Sequence, residues 1–250
     1  MYPFFSIIIP VYNCEKTIEE TLESVLNQTI SDYEIIIIND FSSDNTMEIV
    51  EKYKDKLNEI KVISNFKNLG VAESRNIGFK AAIGKYVALL DGDDVWTNDK
   101  LEKQRAVISK NNCDICCTAY NFIDSNSLMI KKTYNVPENL DYNMLLKENY
   151  IGCSTVVIKK EILHGNSMNS KFQHEDYAFW LRLARHGAKI IGINEPLVYY
   201  RILADSRSFN KFKSAKGRFK IYLDQEKFGV IKSLYYFFHY AANGIMKKFL

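Results

Sequence analysis

Several absences bound what this sequence can encode. No stretch reaches 18 consecutive apolar residues, so no segment reads as a membrane-spanning helix. Phe4 to Val11 is apolar, but no basic region precedes it and no small-residue cleavage site follows, so it does not read as a secretory leader. With only 4 prolines and 11 glycines, collagen-like and proline-rich linker compositions are excluded. The 5 cysteines are odd in number. Cys113, Cys116 and Cys117, joined by Cys153, would make the four thiolates of a tetrahedral zinc site. However, CDICCTAY reads as a buried strand, so the expectation is free thiols packed as small hydrophobes. That implies a reducing compartment, and a cytoplasmic protein.

What is present fits one large α/β unit. The chain has 250 residues, 47% apolar and 25% charged, enough for a real core. FFSIIIPV reads as a strand, and Asn13 is positioned to cap a helix striped with Ile18, Leu22, Val25 and Leu26. YEIIIIN is a continuous apolar strand of the kind buried on both faces. Ser43 or Asp44 caps a second helix carrying Met47, Ile49, Val50 and Tyr53. IKVIS follows as a strand, residues 70–83 as a helix, and KYVALL as a strand. Repeated strand–helix units imply right-handed crossovers and a largely parallel sheet. Beyond them the pattern predicts a helix over 99–112, a strand over 114–119 and a hairpin or loop over 121–133. CSTVVIK reads as a strand, Glu175–His186 as an amphipathic helix, and Lys189–Tyr199 as a strand. The expected division is a catalytic domain over 1–205, with a nucleotide half (1–98) and an acceptor half (99–205), followed by a basic helical tail over 206–250.

Ligands of such sheets sit outside the carboxyl ends of the strands. Asn13, Asp40 and the run Asp91, Gly92, Asp93, Asp94 all fall there. Three clustered carboxylates repel one another unless something compensates. A Mg²⁺ or Mn²⁺ ion would do so, because these ions favour oxygen ligands and share them with substrate phosphates. Gly92 allows close backbone approach. The plain alternative is an acidic turn. Asp40 is either a turn residue or a group reading a nucleotide base. Arg75, in NLGVAESRNIG, either forms a salt bridge or meets a donor, and Gly70 and Gly78 allow a tight helix start or close packing. His174, Glu175 and Asp176 open a helix, where the helix dipole favours acids. The same place suits a general base acting on a hydroxyl.

SIIIPVYN, NDFSSDNT, NLGVAESRNIG, ALLDGDD and HEDYAFWLRLARHG, in this order, resemble the family 2 glycosyltransferases, whose fold is called GT-A. The likeness spans about residues 4–205. Within the family it resembles small bacterial enzymes of surface polysaccharide, capsule or lipooligosaccharide synthesis. The resemblance implies inverting transfer from a UDP-sugar or dTDP-sugar donor with Mn²⁺ or Mg²⁺. It puts Asp40 on the base, enclosed by Pro10, Val11 and Tyr12, with Arg75 near the base or diphosphate. It puts Asp91 on ribose, Asp93 on the metal, Asp94 toward sugar or acceptor, Asp176 as base and Glu175 orienting the acceptor. Leu203 departs from the pattern, since many small members carry histidine there; Arg201, Ser206 or Arg207 are the candidates to replace it.

From Arg201 onward, eleven Lys or Arg face Asp205, Asp224 and Glu226, so the tail carries about +8 within a net charge of +3. With its Tyr and Phe residues, 210–250 reads either as an interfacial helix on anionic lipid, at the cytoplasmic face of the inner membrane, or as a helix packed on the domain or a second subunit in a homo-oligomer. A lipid-linked saccharide acceptor favours the first. Nucleic acid is not an expected partner, because the strand-end rim is acidic. Rival functions are a sugar-phosphate nucleotidyltransferase, which would need a Gly-rich basic loop where PVYNCEKT stands, a non-catalytic binding module, and a hydrolase.

Overall fold

The computed structural model describes residues 2–57, 60–203 and 211–249. The chain runs β1 (Phe5–Val11), α1 (Ile18–Leu26), β2 (Tyr33–Asn39), α2 (Thr46–Tyr53), β3 (Ile60–Ser64), α3 (Val71–Ala81), β4 (Tyr86–Leu89) and β5 (Val95–Trp96). It continues through α4 (Lys100–Asn111), β6 (Ile115–Ile123), β7 (Met129–Tyr134), β8 (Asn139–Leu140), α5 (Tyr142–Lys147), β9 (Val157–Lys159), α6 (Glu175–Arg185), β10 (Ile190–Arg201), α7 (Lys211–Lys220) and α8 (Val230–Phe249).

One mixed sheet has the order β3-β2-β1-β4-β9-β6-β10-β5, with β7 on β6 and β8 on β10. The β3-β2-β1-β4 half is parallel, as strand–helix alternation predicts. Side-chain alternation along its strands fills two cores. Ile8, Ile36 and Ile38 face one side with α3 and α6, while Ile7, Ile9, Ile35 and Ile37 face the other with α1 and α2. Those isoleucines are all fully buried, which is why YEIIIIN has no polar alternation. On α3, a Cβ added at Gly78 would lie 2.5 Å from Ile8 Cγ2, so the glycine sets how closely the helix approaches β1. The β1–β4 register pairs Ile8 with Leu89, which brings the segment after β4 level with the end of β1.

Two local expectations need correction, at Asn13 and at CSTVVIK, and two open alternatives are settled. Asn13 does not cap α1: the helix starts five residues later, after Thr17, and Asn13 sits at φ 49° with its side-chain oxygen accepting from Ser43 N at 2.8 Å. At α2, Asp44 rather than Ser43 serves the helix start, accepting from Thr46 N at 3.0 Å. CSTVVIK is a strand only from Val157; Cys153–Thr155 is a tight 3₁₀ turn that delivers Ser154 to the acidic segment. Residues 121–133 resolve into the β6–β7 hairpin, and β10 runs on to Arg201.

The tail packs on α5 and α6. The Arg218 guanidinium lies 3.4 Å from the centre of the Tyr177 ring, and Tyr222 donates to Leu146 O at 2.7 Å. Glu226 meets Arg185 at 3.2 Å and accepts from Tyr142. Among the described residues, no helix is long and apolar enough to cross a membrane. All five cysteines are unpaired, and four are buried.

Candidate active site

The acidic turn after β4 is held by its backbone. Leu90 N donates to Ile8 O at 3.1 Å, Thr17 Oγ1 to Gly92 O at 2.9 Å, and Thr21 Oγ1 to Asp94 O at 2.9 Å. Arg201 Nε donates to Asp93 O at 2.7 Å, and Asp91 N to Ser154 Oγ at 3.1 Å. Gly92 is tight against β1 and Cys14 rather than merely open to a ligand: a Cβ there would meet Cys14 Sγ at 3.2 Å and Pro10 O at 3.3 Å.

This frame sorts the carboxylates. Asp94 is 1% exposed and turned inward, accepting from Ser154 Oγ and from Arg201 N at 2.9 Å. Asp91 and Asp93 instead line an open cleft of about 1050 Å³. Burial, then the neighbouring Asp91, pushes the Asp93 carboxyl up to about 6, with Arg201 and Arg75 partly offsetting. No other side chain among the described residues donates to Asp93. A half-buried carboxylate with no side-chain donor, beside a second carboxylate, is where a hard cation relieves charge, so the residues fit a Mg²⁺ or Mn²⁺ ion that shares Asp93 with a diphosphate. Among the described residues no group of three or more His, Cys, Asp or Glu could hold a metal alone, so a substrate would have to supply most of the oxygens.

Arg75 ties the two sides of the cleft together. Its Nη2 meets Asp91 Oδ1 at 2.6 Å and its Nη1 meets Glu175 Oε1 at 3.4 Å, with the Arg75 side chain only 3% exposed. Burial works against its charge, but Asp91 first and then Cys153 and Glu175 outweigh it and raise the guanidinium's pKa. Nε is buried without a partner. Glu175 is therefore 3% exposed and engaged by Arg75, whereas Asp176, next in the first turn of α6, lines the cleft. Neither a hydrogen bond nor an ion pair engages Asp176 among the described residues. His174 also lines the cleft, with Nε2 donating to Ser214 O at 3.0 Å, so its ring is tied to α7.

At the other end, Pro10 and Tyr12 line the cleft, while Val11 is 2% exposed and in the core. The Asn13–Glu15 loop is zipped to 42–46: Cys14 N donates to Thr46 Oγ1 at 2.8 Å and Glu15 N to Asp44 Oδ2 at 3.0 Å.

Two further expected ligand groups face inward, as Asp94 does. Asp40 is 3% exposed and is not among the residues lining the cleft. It accepts from Asn65 Nδ2, Leu69 N and Gly70 N, each at 2.8 Å, closing the loop that starts α3. Arg201, 2% exposed, gives its guanidinium to Asp93 O, to Asp124 O at 3.2 Å, to Ser127 Oγ at 2.8 Å and to Glu20. It is not a free replacement for the family histidine. Leu203 does line the cleft, while Ser206 and Arg207 lie outside the described residues. Sequence reasoning missed Tyr120, Asn149, Gln173 and Tyr200, all cleft-lining. For Tyr200 there was a signal: it immediately precedes Arg201 in YYR.

Comparison with known proteins follows the same lines. The family described as "Glycosyl transferase family 2" matches residues 6–167. The "Putative teichuronic acid biosynthesis glycosyltransferase TuaG" of Bacillus subtilis is 37% identical over 246 residues, covering 98% of both chains. The "UDP-Glc:alpha-D-GlcNAc-diphosphoundecaprenol beta-1,3-glucosyltransferase WfgD" of Escherichia coli is 37% identical, covering 97% of this chain and 94% of its own. S. aureus TarS in complex with UDP superposes with a TM-score of 0.70 at 24% identity, over 88% of this chain and 65% of that one, a likeness of fold alone.

Proposed function

The chain belongs to glycosyl transferase family 2, and on that premise we propose that it transfers a hexose or N-acetylhexosamine from a UDP-sugar to a hydroxyl of a growing surface glycan or lipid-linked saccharide, inverting the anomeric centre. A dTDP-sugar donor is the second choice. The observation that carries this reading is the Arg75 bridge. It joins Asp91 of the acidic turn to Glu175 of the α6 start, and so sets an unengaged Asp176 across one cleft from Asp93.

In this reading Asp176 takes the proton of the acceptor hydroxyl. The acceptor oxygen bonds to the anomeric carbon as the bond from that carbon to the diphosphate oxygen breaks, and the electron pair leaves on the nucleoside diphosphate. Asp93 would hold a Mn²⁺ or Mg²⁺ ion, which would supply charge neutralisation for the leaving diphosphate. Arg75, shared between Asp91 and Glu175, offsets part of their negative charge in the cleft. Pro10 and Tyr12 flank the nucleotide. Asp40, Asp94 and Arg201 act one step back, shaping the loops that carry these groups. The names of the relatives support the donor and the acceptor: WfgD and a second Escherichia coli protein, WfaP, 35% identical, are both named for UDP-glucose and a diphosphoundecaprenol-linked GlcNAc.

The tail fits a membrane-surface acceptor. The inner side of α8 packs through Ser233, Tyr236 and Phe237, while Val230, Ile231, Leu234, Tyr235 and Phe238 form an exposed stripe. A helix apolar on both sides calls for a cover. Lys216, Lys220, Lys227 and Lys232 are exposed in the same segment, which favours an anionic lipid surface as that cover.

The test is a transfer assay with a panel of UDP- and dTDP-sugars, Mn²⁺, and a short-chain lipid diphosphate bearing α-linked GlcNAc, read by mass spectrometry. A product one sugar heavier, with the new linkage inverted relative to the donor, is expected. Nucleotide release without sugar transfer to any acceptor would point to hydrolysis instead.

A further inference from the structure

We infer that Tyr120 and Tyr200 form an aromatic face that binds the acceptor sugar ring beside Asp176; this rests on the transferase reading above. The two residues stand on neighbouring parallel strands, β6 and β10, with Tyr200 in register with Phe122. Their rings are 5.7 Å apart, and Phe122 closes the group at 5.2 Å from Tyr120 and 5.9 Å from Tyr200. Behind Tyr120, the Tyr134 ring stacks at 4.9 Å and 9°. Tyr134 is itself fixed, its hydroxyl donating to Glu148 Oε1 at 2.7 Å or to Asn149 O at 2.8 Å. Both Tyr120 and Tyr200 line the cleft, as Asp176 does.

Six other packed tyrosines use their hydroxyls within the protein, although Tyr86, 2% exposed, has no hydroxyl partner among the described residues either. Tyr33, Tyr53, Tyr134, Tyr142, Tyr177 and Tyr222 all donate to protein acceptors. No hydrogen bond engages the Tyr120 or Tyr200 hydroxyl among the described residues. Both side chains are half-buried with hydroxyls that are not sealed from the cleft, so two unengaged hydroxyls on rigid strands leave donors available to a ligand that enters it. Burial raises both phenols' pKa, and acids raise them further: Asp94 and Asp176 at Tyr120, Asp94 and Asp91 at Tyr200. The hydroxyls therefore stay protonated as donors. A pyranose has an apolar C–H face and a rim of hydroxyl oxygens, and a backed aromatic ring with a free donor matches both. In the proposed reading the nucleotide lies instead against the loop around Pro10 and Tyr12, which lines the same cleft.

The experiment compares the full-length chain with Tyr120→Leu, Tyr200→Leu, Tyr120→Phe and Tyr200→Phe. Four quantities are measured: UDP affinity by calorimetry, donor KM, acceptor KM for the GlcNAc-diphosphate lipid, and sugar-ring contact by saturation-transfer NMR with UDP present. The Leu variants should raise acceptor KM on the order of tenfold, a loss of about one stacked aromatic contact. UDP affinity and donor KM should stay within about twofold. The Phe variants keep the packing and should give a smaller rise. Unchanged acceptor KM, or a matching loss of UDP affinity, overturns the assignment. Should the Leu variants fail to fold, the Phe variants decide it: no change in acceptor KM for either sinks the donor role. NMR contact that Tyr120 and Tyr200 substitutions weaken, in a protein that transfers nothing, would keep the sugar face and remove the transferase reading.

Discussion

Glu175 and Asp176 are adjacent acids at one helix start, yet Arg75 takes the first and leaves the second facing the cleft. Asp176→Asn keeps the shape and removes the base, so kcat should fall roughly 10²-fold or more while UDP affinity stays near normal. Near-normal turnover at saturating donor, acceptor and Mn²⁺ would remove Asp176 from the mechanism. Arg75→Met removes this buried cation from beside Glu175 and Asp91, a loss of about 3 kcal/mol in urea unfolding. Adding Glu175→Met should recover part of it. A single-variant loss below about 1 kcal/mol would mean the bridge contributes little. The DGDD run and the HED segment were legible as acids at strand and helix ends. Which acid faces ligand was not, because Asp40 and Asp94 differ from Asp93 only in the amides and hydroxyls that the fold brings to them.

Elements show the same division. Gly78→Ala sets two effects against each other. Alanine favours α3 by about 1 kcal/mol, but its Cβ would overlap the fully buried Ile8, and overpacking costs about 1–3 kcal/mol. Overpacking should win, and an unfolding midpoint unchanged or raised would show that the helix can move away. On α4, Lys100 is fully buried, its Nζ 2.7 Å from Gln104 Oε1 and 3.9 Å from the Trp96 ring centre. Burial lowers its pKa to about 7 from 10.5, while the indole face acts the other way by favouring the ammonium. Above pH 7 the unfolded chain then holds a proton that the folded one has released. Wild-type stability should rise relative to Lys100→Met by roughly 1–2 kcal/mol between pH 7 and 8.5. A pH-independent difference would show that the ring keeps the lysine charged. The hydrophobic period in the first hundred residues made β1 to β4 and α1 to α3 readable. The start of α1, the 3₁₀ turn at Cys153 and the β7 pairing depend on partners distant in sequence, and only their existence, not their form, could be anticipated.

For the whole molecule, the proposed membrane contact rests on the exposed stripe of α8. Ile231→Glu with Phe238→Glu charges the exposed stripe, where these side chains are 87% and 72% exposed, and leaves the packed side of α8 alone. Binding to phosphatidylglycerol vesicles should fall on the order of tenfold or more, with the fold and soluble-acceptor turnover retained. Equal binding by both proteins would defeat the lipid reading, and a wild-type dimer dissolved by the same pair would make a second copy the cover instead.

By itself the sequence determined the α/β alternation, the two-sided burial of β2, the strand-end placement of the acids, the family, and the uneven charge. All of these follow from local periodicity, composition and motif order. The tertiary structure decided which of those acids see the cleft, that Arg201 is buried and hydrogen-bonded within the protein, and that Tyr120 and Tyr200 stand together. Such facts depend on contacts between residues far apart in the chain, such as Arg75 with Glu175 and Arg201 with Glu20, whose pairing no spacing rule encodes.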